Sequence, residues 1–200
     1  MNRGLALISV AAFALLAVAA AGAKSNDTTI SGAGSSFVSP LVSVWTPALG
    51  SAFGYSVQYS PVGSGAGIAA ITNRQVDFGA SDAPLTPDQK TACKNCVQIP
   101  WALSATSVAY NVPGAPTHLN LDGKTISKIF LGQITNWNDP AIKALNKGAD
   151  MPNLKITPIF RSDGSGTTYN FTDYLSGVSG DWKSKVGTST AVSFPAGTTA

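Results

Sequence analysis

The sequence predicts an open α/β sheet, and three observations predict it. Short β-patterned runs alternate with runs of helical period. Two glycine- and serine-rich loops fall where a strand should end and a helix begin. The same strand–loop–helix order returns in the second half of the chain.

In order, residues 28–31 read as a strand that runs into Gly32-Ala33-Gly34-Ser35-Ser36-Phe37. Ser39-Pro40 opens a helix, with proline at its first position. Leu41, Val44, Trp45, Leu49 and Phe53 recur at helical spacing and predict one apolar face. Residues 55–59 form the next expected strand. Gly63-Ser64-Gly65-Ala66-Gly67 follows it, and a helix begins at Ser64 with Ile68 and Ile71 on its buried side. Residues 76–80 are a third, short strand ending at Ser81-Asp82.

Residues 104–112 form a long strand-like run stopped by Pro113-Gly114, a candidate crossing between two lobes. Small helices follow, one over 125–131 and one opened by Asp139-Pro140 as cap and first position. Residues 155–160 read as a strand. It delivers Arg161 and the turn Ser165-Gly166-Thr167 to a helix carrying Tyr169, Phe171, Tyr174 and Leu175. Open α/β sheets bind ligands off the carboxyl ends of their strands, so these loops are expected to face one crevice.

Composition narrows the function. Arg3, an apolar run over 5–20 and the small residues Ala21-Gly22-Ala23 predict a secretory signal peptide over 1–23. The competing reading is a membrane anchor, which the polar stretch after it disfavours. No cysteine stands near the cleavage point, so a lipid anchor is not indicated. The chain carries a net charge of +3, only 12% charged residues and no glutamate. That gives no dense basic patch for nucleic acid. Anion binding here has to come from placed groups rather than from a bulk field.

Cys93 and Cys96 make a C-x-x-C pair. In the cytosol that spacing suggests metal or redox work. A zinc site needs two further ligands, and His118 is the one histidine of the chain. In an exported protein the pair reads as a small structural disulfide, whose short loop limits its entropic gain.

The stretch Arg161-Ser162-Asp163-Gly164-Ser165-Gly166-Thr167 carries the most chemistry. A guanidinium, short hydroxyls and the exposed N–H groups of a helix start together suit a tetrahedral oxyanion. The usual phosphate loops are missing: there is no G-x-x-x-x-G-K-S/T, and both early glycine loops lack the third glycine of a dinucleotide fingerprint. No G-x-S-x-G elbow occurs, and His118 has no evident acid partner. No catalytic residue, catalytic metal or cofactor is expected. Taken singly, each glycine loop reads as a turn, Asp82 as a cap and Arg161 as half of an ion pair with Asp163.

Taken together, these runs resemble a known family. Gly32-Ala33-Gly34-Ser35-Ser36-Phe37, Val76-Asp77-Phe78-Gly79-Ala80-Ser81-Asp82-Ala83-Pro84-Leu85 and the Arg161–Thr167 stretch are similar to the periplasmic phosphate-binding protein of the high-affinity phosphate ABC transporter. Leu121-Asp122-Gly123-Lys124-Thr125 and Phe130-Leu131-Gly132-Gln133-Ile134-Thr135-Asn136-Trp137-Asn138-Asp139 extend the resemblance, which runs in order from about Ile30 onward.

The resemblance implies a two-lobe, hinged periplasmic-binding-protein fold of type II, with a first lobe over 24–110 and a second over 111–200. By motif position, Ser36 and the Phe37 N–H would contact phosphate, Ser64 would donate, and Asp82 would accept. Arg161, Ser165, Gly166 and Thr167 would close from the other lobe, with Asp163 holding Arg161. The family often has threonine where Ser36 stands, but a hydroxyl is kept. The expected partners are inorganic phosphate and a membrane ABC permease, and the expected state is an exported monomer. Members of the family continue well past residue 200, so the chain is expected to be incomplete and, alone, to bind weakly or misfold. Alternatives are a receptor for sulfate or molybdate, a secreted phosphohydrolase, or a surface protein that only retains the fold.

Overall fold

The computed structural model describes residues 28–199; the expected signal peptide lies outside the described residues. Three strands form a wholly parallel sheet: β1 (Thr28–Gly34), β2 (Tyr55–Ser60) and β3 (Phe78–Ala80), in the order β2-β1-β3. Parallel neighbours need crossovers, and helices supply them: α1 (Ser39–Phe53) between β1 and β2, and α2 (Ser64–Thr72) before β3. Because all three strands run the same way, their carboxyl ends lie along one edge. That edge carries Ser35 and Ser36, then Gly63 and Ser64, then Ser81 and Asp82.

α2 packs backbone to backbone against the sheet. A Cβ on Gly67 would lie 2.4 Å from the Cα of Gly34 and 3.0 Å from the Ala80 carbonyl oxygen, so only glycine fits. α3 (Pro87–Cys93) was not expected from the sequence. Its start is a capping box: Thr86 Oγ1 accepts from the Gln89 N–H, and Gln89 Oε1 accepts from the Thr86 N–H. The Cys93–Cys96 disulfide, as expected, closes its end. Arg74 donates to the Cys93 and Lys94 carbonyl oxygens there.

A second group follows: α4 (Gly123–Phe130), α5 (Pro140–Leu145), β4 (Ile159–Phe160), α6 (Gly166–Val178), α7 (Gly180–Lys185) and β5 (Thr198–Thr199), with β4 and β5 parallel. Side-chain caps start the helices. Asp122 accepts from the Thr125 N–H, Asp139 from Ala141, Ser165 from Thr168 and Ser179 from Trp182. Ile129, Ile134, Ile142, Met151 and Ile156 form the aliphatic core. Phe130, Phe160, Phe171, Trp182 and Phe194 form a ring cluster beside it, with Phe160 and Phe194 stacked at 4.3 Å.

Three expectations fail. Residues 104–112 form no strand, because no segment among the described residues pairs with them, and residues 101–109 are exposed throughout. The strand expected over 155–160 shrinks to Ile159–Phe160 plus an isolated bridge from Lys155 to Asn136; Pro158 has no N–H to donate to a ladder. The apolar face expected on α1 is largely open: Val44 is 72% and Phe53 67% exposed, and Val42 is the residue that α1 buries. No helix among the described residues is long and apolar enough to cross a membrane.

Candidate functional site

The sheet edge and the start of α6 meet at Asp82. Ser35 Oγ donates to Asp82 Oδ1 at 2.5 Å, and Ser64 Oγ donates to Oδ2 at 3.4 Å. The Asp82 N–H in turn donates to Ser64 Oγ at 3.2 Å. Ser35 and Ser64 are each 1% exposed, so this carboxylate sits between two buried hydroxyls. Each carboxylate oxygen keeps a further lone pair for another donor.

α6 reaches the same point. A Cβ on Gly166 would lie 2.5 Å from both the Cβ of Asp82 and Ser64 Oγ. Glycine there lets the first turn of α6 press against the carboxylate. The N–H groups of Gly166 and Thr167 stand in that first turn, where a helix has no internal acceptor for them. Ser165, fully buried, caps the turn. Thr167 lines two flanking cavities: one of about 900 Å³ that also touches Phe37 and Asp82, and one of about 620 Å³ that also touches Arg161 and Phe171.

Arg161 arrives from the end of β4. Its guanidinium forks onto Asp163, with Nε donating to Oδ1 at 2.7 Å and Nη2 to Oδ2. That fork holds the Asp163 carboxyl below the usual carboxylate range, chiefly through the hydrogen bond from Arg161. Nη1 stays free of Asp163 and donates across to Ser36 Oγ at 3.1 Å. The Gly65 N–H donates to the Gly164 carbonyl at 2.7 Å, so the glycine loop before α2 lies directly against the Arg161 loop.

The structure therefore brings Ser36, Ser64, Asp82, Arg161, Asp163, Ser165, Gly166 and Thr167 to one junction. Phe37 stands at its rim, 45% exposed, with its N–H donating to Ser35 Oγ at 3.1 Å. Cys93 and Cys96 lie elsewhere, in their disulfide. No group of three or more His, Cys, Asp or Glu among the described residues is arranged to hold a metal ion.

Sequence reasoning missed three residues. Ser35, one position before Ser36, makes the shortest bond to Asp82. Both hydroxyls were in the motif, and nothing in it says which one turns inward. Tyr59 donates to the Ser35 carbonyl at 2.7 Å. Burial first, and the Asp82 charge second, push its phenol up to about 12. Asn170 donates to the Asp82 carbonyl at 3.1 Å. Its one signal is its place, four residues after Gly166 and so on the same helix face.

Comparison with known proteins shows the family. The profile described as "PBP superfamily domain" matches residues 19–198. The chain belongs to the PBP superfamily. Among curated members of known name, the phosphate-binding protein PstS of Xylella fastidiosa is 43% identical over 175 residues, 87% of this chain and 48% of that protein. PstS of Pasteurella multocida is 42% identical over 170 residues, 84% of this chain and 49% of that one. The chain thus spans about half the length of the curated relatives it matches.

Two solved structures share the fold. A protein of Clostridium perfringens, described as a "Putative Phosphate ABC Transporter Substrate-Binding Protein with Bound Phosphate", superposes with a TM-score of 0.59 at 22% identity, over 86% of this chain and 61% of that one. An ABC-type phosphate transport receptor of Vibrio cholerae superposes with a TM-score of 0.51 at 21% identity, over 84% and 62%.

Proposed function

We propose that this chain is the anion-gripping part of an extracytoplasmic solute-binding protein. It captures inorganic phosphate between two lobes, residues 24–110 and 111–200, and presents it to a membrane ABC permease. It binds without turnover, as an exported monomer. The observation that carries the reading is the meeting of an acceptor carboxylate, a helix start and a clamped guanidinium at one junction.

The chemistry follows from what each group offers. Arg161 gives one fixed positive charge, with Nη1 aimed at the junction while Asp163 holds the rest of the fork. Asp163 and Asp82 bring two negative charges, so the site is no sink of positive charge. Backbone N–H groups at the start of α6 and the serine and threonine hydroxyls have to carry the remaining attraction. Such a site suits an anion that brings a proton of its own. Phosphate near neutral pH keeps at least one O–H, which Asp82 can accept. Sulfate and molybdate offer only lone pairs and like charge to the same carboxylate. Buried polar groups left unpaired by the wrong ligand support discrimination of about 10⁴-fold.

Titration of the purified chain with inorganic phosphate, followed by amide shifts, tests the reading. Shifts are expected together at Gly34–Phe37, Gly63–Gly65, Ala80–Ala83 and Gly164–Thr168, with sulfate far weaker. Silent loops, shifts elsewhere, or an equal response to sulfate would overturn it. Hydrolysis of a chromogenic phosphate ester by the chain would favour a phosphohydrolase instead.

A further inference from the structure

Asp82 is held at four points. Ser35 and Ser64 fix its carboxylate, Ser64 accepts from its N–H, and Asn170 donates to its carbonyl. The first three contacts come from the sheet edge. The fourth comes from α6, 88 positions away in sequence.

Asn170 follows Gly166 by one helical turn, so both project from the same face of α6. That face makes a two-point seat for the Asp82 loop. At one point the Gly166 backbone touches the Asp82 side chain. At the other, the Asn170 amide Nδ2 holds the Asp82 main chain at 3.1 Å. Two points on a rigid helix fix both distance and tilt. Gly166 alone would leave the loop tied to α6 at a single contact.

We propose that Asn170 is a positioning residue for anion discrimination. By tying the Asp82 carbonyl to α6, it sets the carboxylate at a constant distance from the N–H groups that start the same helix. A proton-bearing anion gripped by those N–H groups then presents its O–H to Asp82 in one geometry. With the tie cut, the carboxylate keeps its bonds to Ser35 and Ser64, but its distance from the α6 N–H groups is no longer fixed, and an unprotonated anion meets less repulsion. Asn170 itself touches no anion in this account. The inference rests on the phosphate-receptor reading, and its test separates the two.

The test uses Asn170→Ala and Asn170→Asp in the full chain. Asn170→Asp keeps the shape but replaces the donor with an acceptor facing the Asp82 carbonyl. Without any anion, both substitutions are expected to move the Ala83 amide nitrogen, which shares a peptide with that carbonyl. With anions, the preference for phosphate over sulfate is expected to fall about threefold to tenfold in Asn170→Ala, the range of one lost hydrogen bond. The fall is at least as large in Asn170→Asp. In an Asp82→Asn background, Asn170→Ala should change the preference no further, because there is then no carboxylate to position.

A purely structural role would lower thermal stability and both affinities alike and leave their ratio constant, and that result overturns the proposal. So does a wild-type ratio in Asn170→Asp, or an equal fall in the Asp82→Asn background. An unmoved Ala83 amide overturns it without reference to any ligand. Absence of phosphate binding, even at millimolar concentration, by a wild-type chain whose amide spectrum shows it folded sinks the receptor reading as well.

Discussion

Around α4–α7 the interior is made of large side chains. Trp182, Ile142 and Leu175 are fully buried, and four phenylalanine rings cluster with the Trp182 indole. Around the three-stranded sheet the closest packing is between small ones, with Val42 and Ile68 the large aliphatics buried there. Ala33, Ala80 and Ala83 are buried, and Gly67 lies directly on Gly34. The two regions hold opposite halves of the candidate site: Arg161 belongs to the first, Asp82 to the second. The contrast shows two ways of fixing a functional group. Bulk packing holds a helix start and a guanidinium in place. Close backbone approach brings three loop ends within reach of one another, and it leaves little apolar area to stabilise the sheet.

The regions should therefore break in opposite directions. Trp182→Ala removes a fully buried indole and its hydrogen bond to the Gly187 carbonyl. The expected loss is about 3–5 kcal/mol, read from denaturant unfolding. Around the sheet, enlarging does the damage. Gly67→Ala sets a methyl 2.4 Å from the Gly34 Cα, where only backbone can give way. The expected loss is about 1–3 kcal/mol, with the amides of Ser35 and Ser36 displaced. A Gly67→Ala chain of native stability would show that the close approach is slack.

A smaller effect sharpens the same contrast. Tyr59→Phe removes the hydrogen bond to the Ser35 carbonyl and is expected to cost about 1 kcal/mol at neutral pH. The phenol titrates near 10.0 when unperturbed and is raised to about 12 in the fold. The folded state therefore holds this proton more tightly. Its stabilisation is whole below the unperturbed value and disappears as pH climbs through the raised one. An unfolding series at rising alkaline pH should show that loss in the wild type, and Tyr59→Phe should flatten this part of it.

Much of the fold was legible because local chemistry dictates it. Asp139-Pro140 and Ser165-Gly166 announce helix starts, and both occur where expected. The capping box at Thr86 and Gln89 marks the start of α3 in the same way. What sequence could not supply was the neighbour. Residues 104–112 have the side-chain pattern of a strand, but a strand exists only where another chain accepts its hydrogen bonds. The apolar spacing of α1 likewise predicts a buried face, yet Val44 stays 72% exposed and Phe53, against Tyr55 alone, 67% exposed. Within the site, motif residues converged as expected, while Ser35 and Asn170 escaped notice. Their roles depend on reaching Asp82 across 47 and 88 positions.

The central claim is that Asp82 reads the proton on the bound anion. Competition between phosphate and sulfate for Asp82→Asn, set beside the wild type, tests it most directly. The account predicts that the substitution erodes the preference for phosphate far more than it weakens phosphate binding. A preference unchanged from wild type would contradict it.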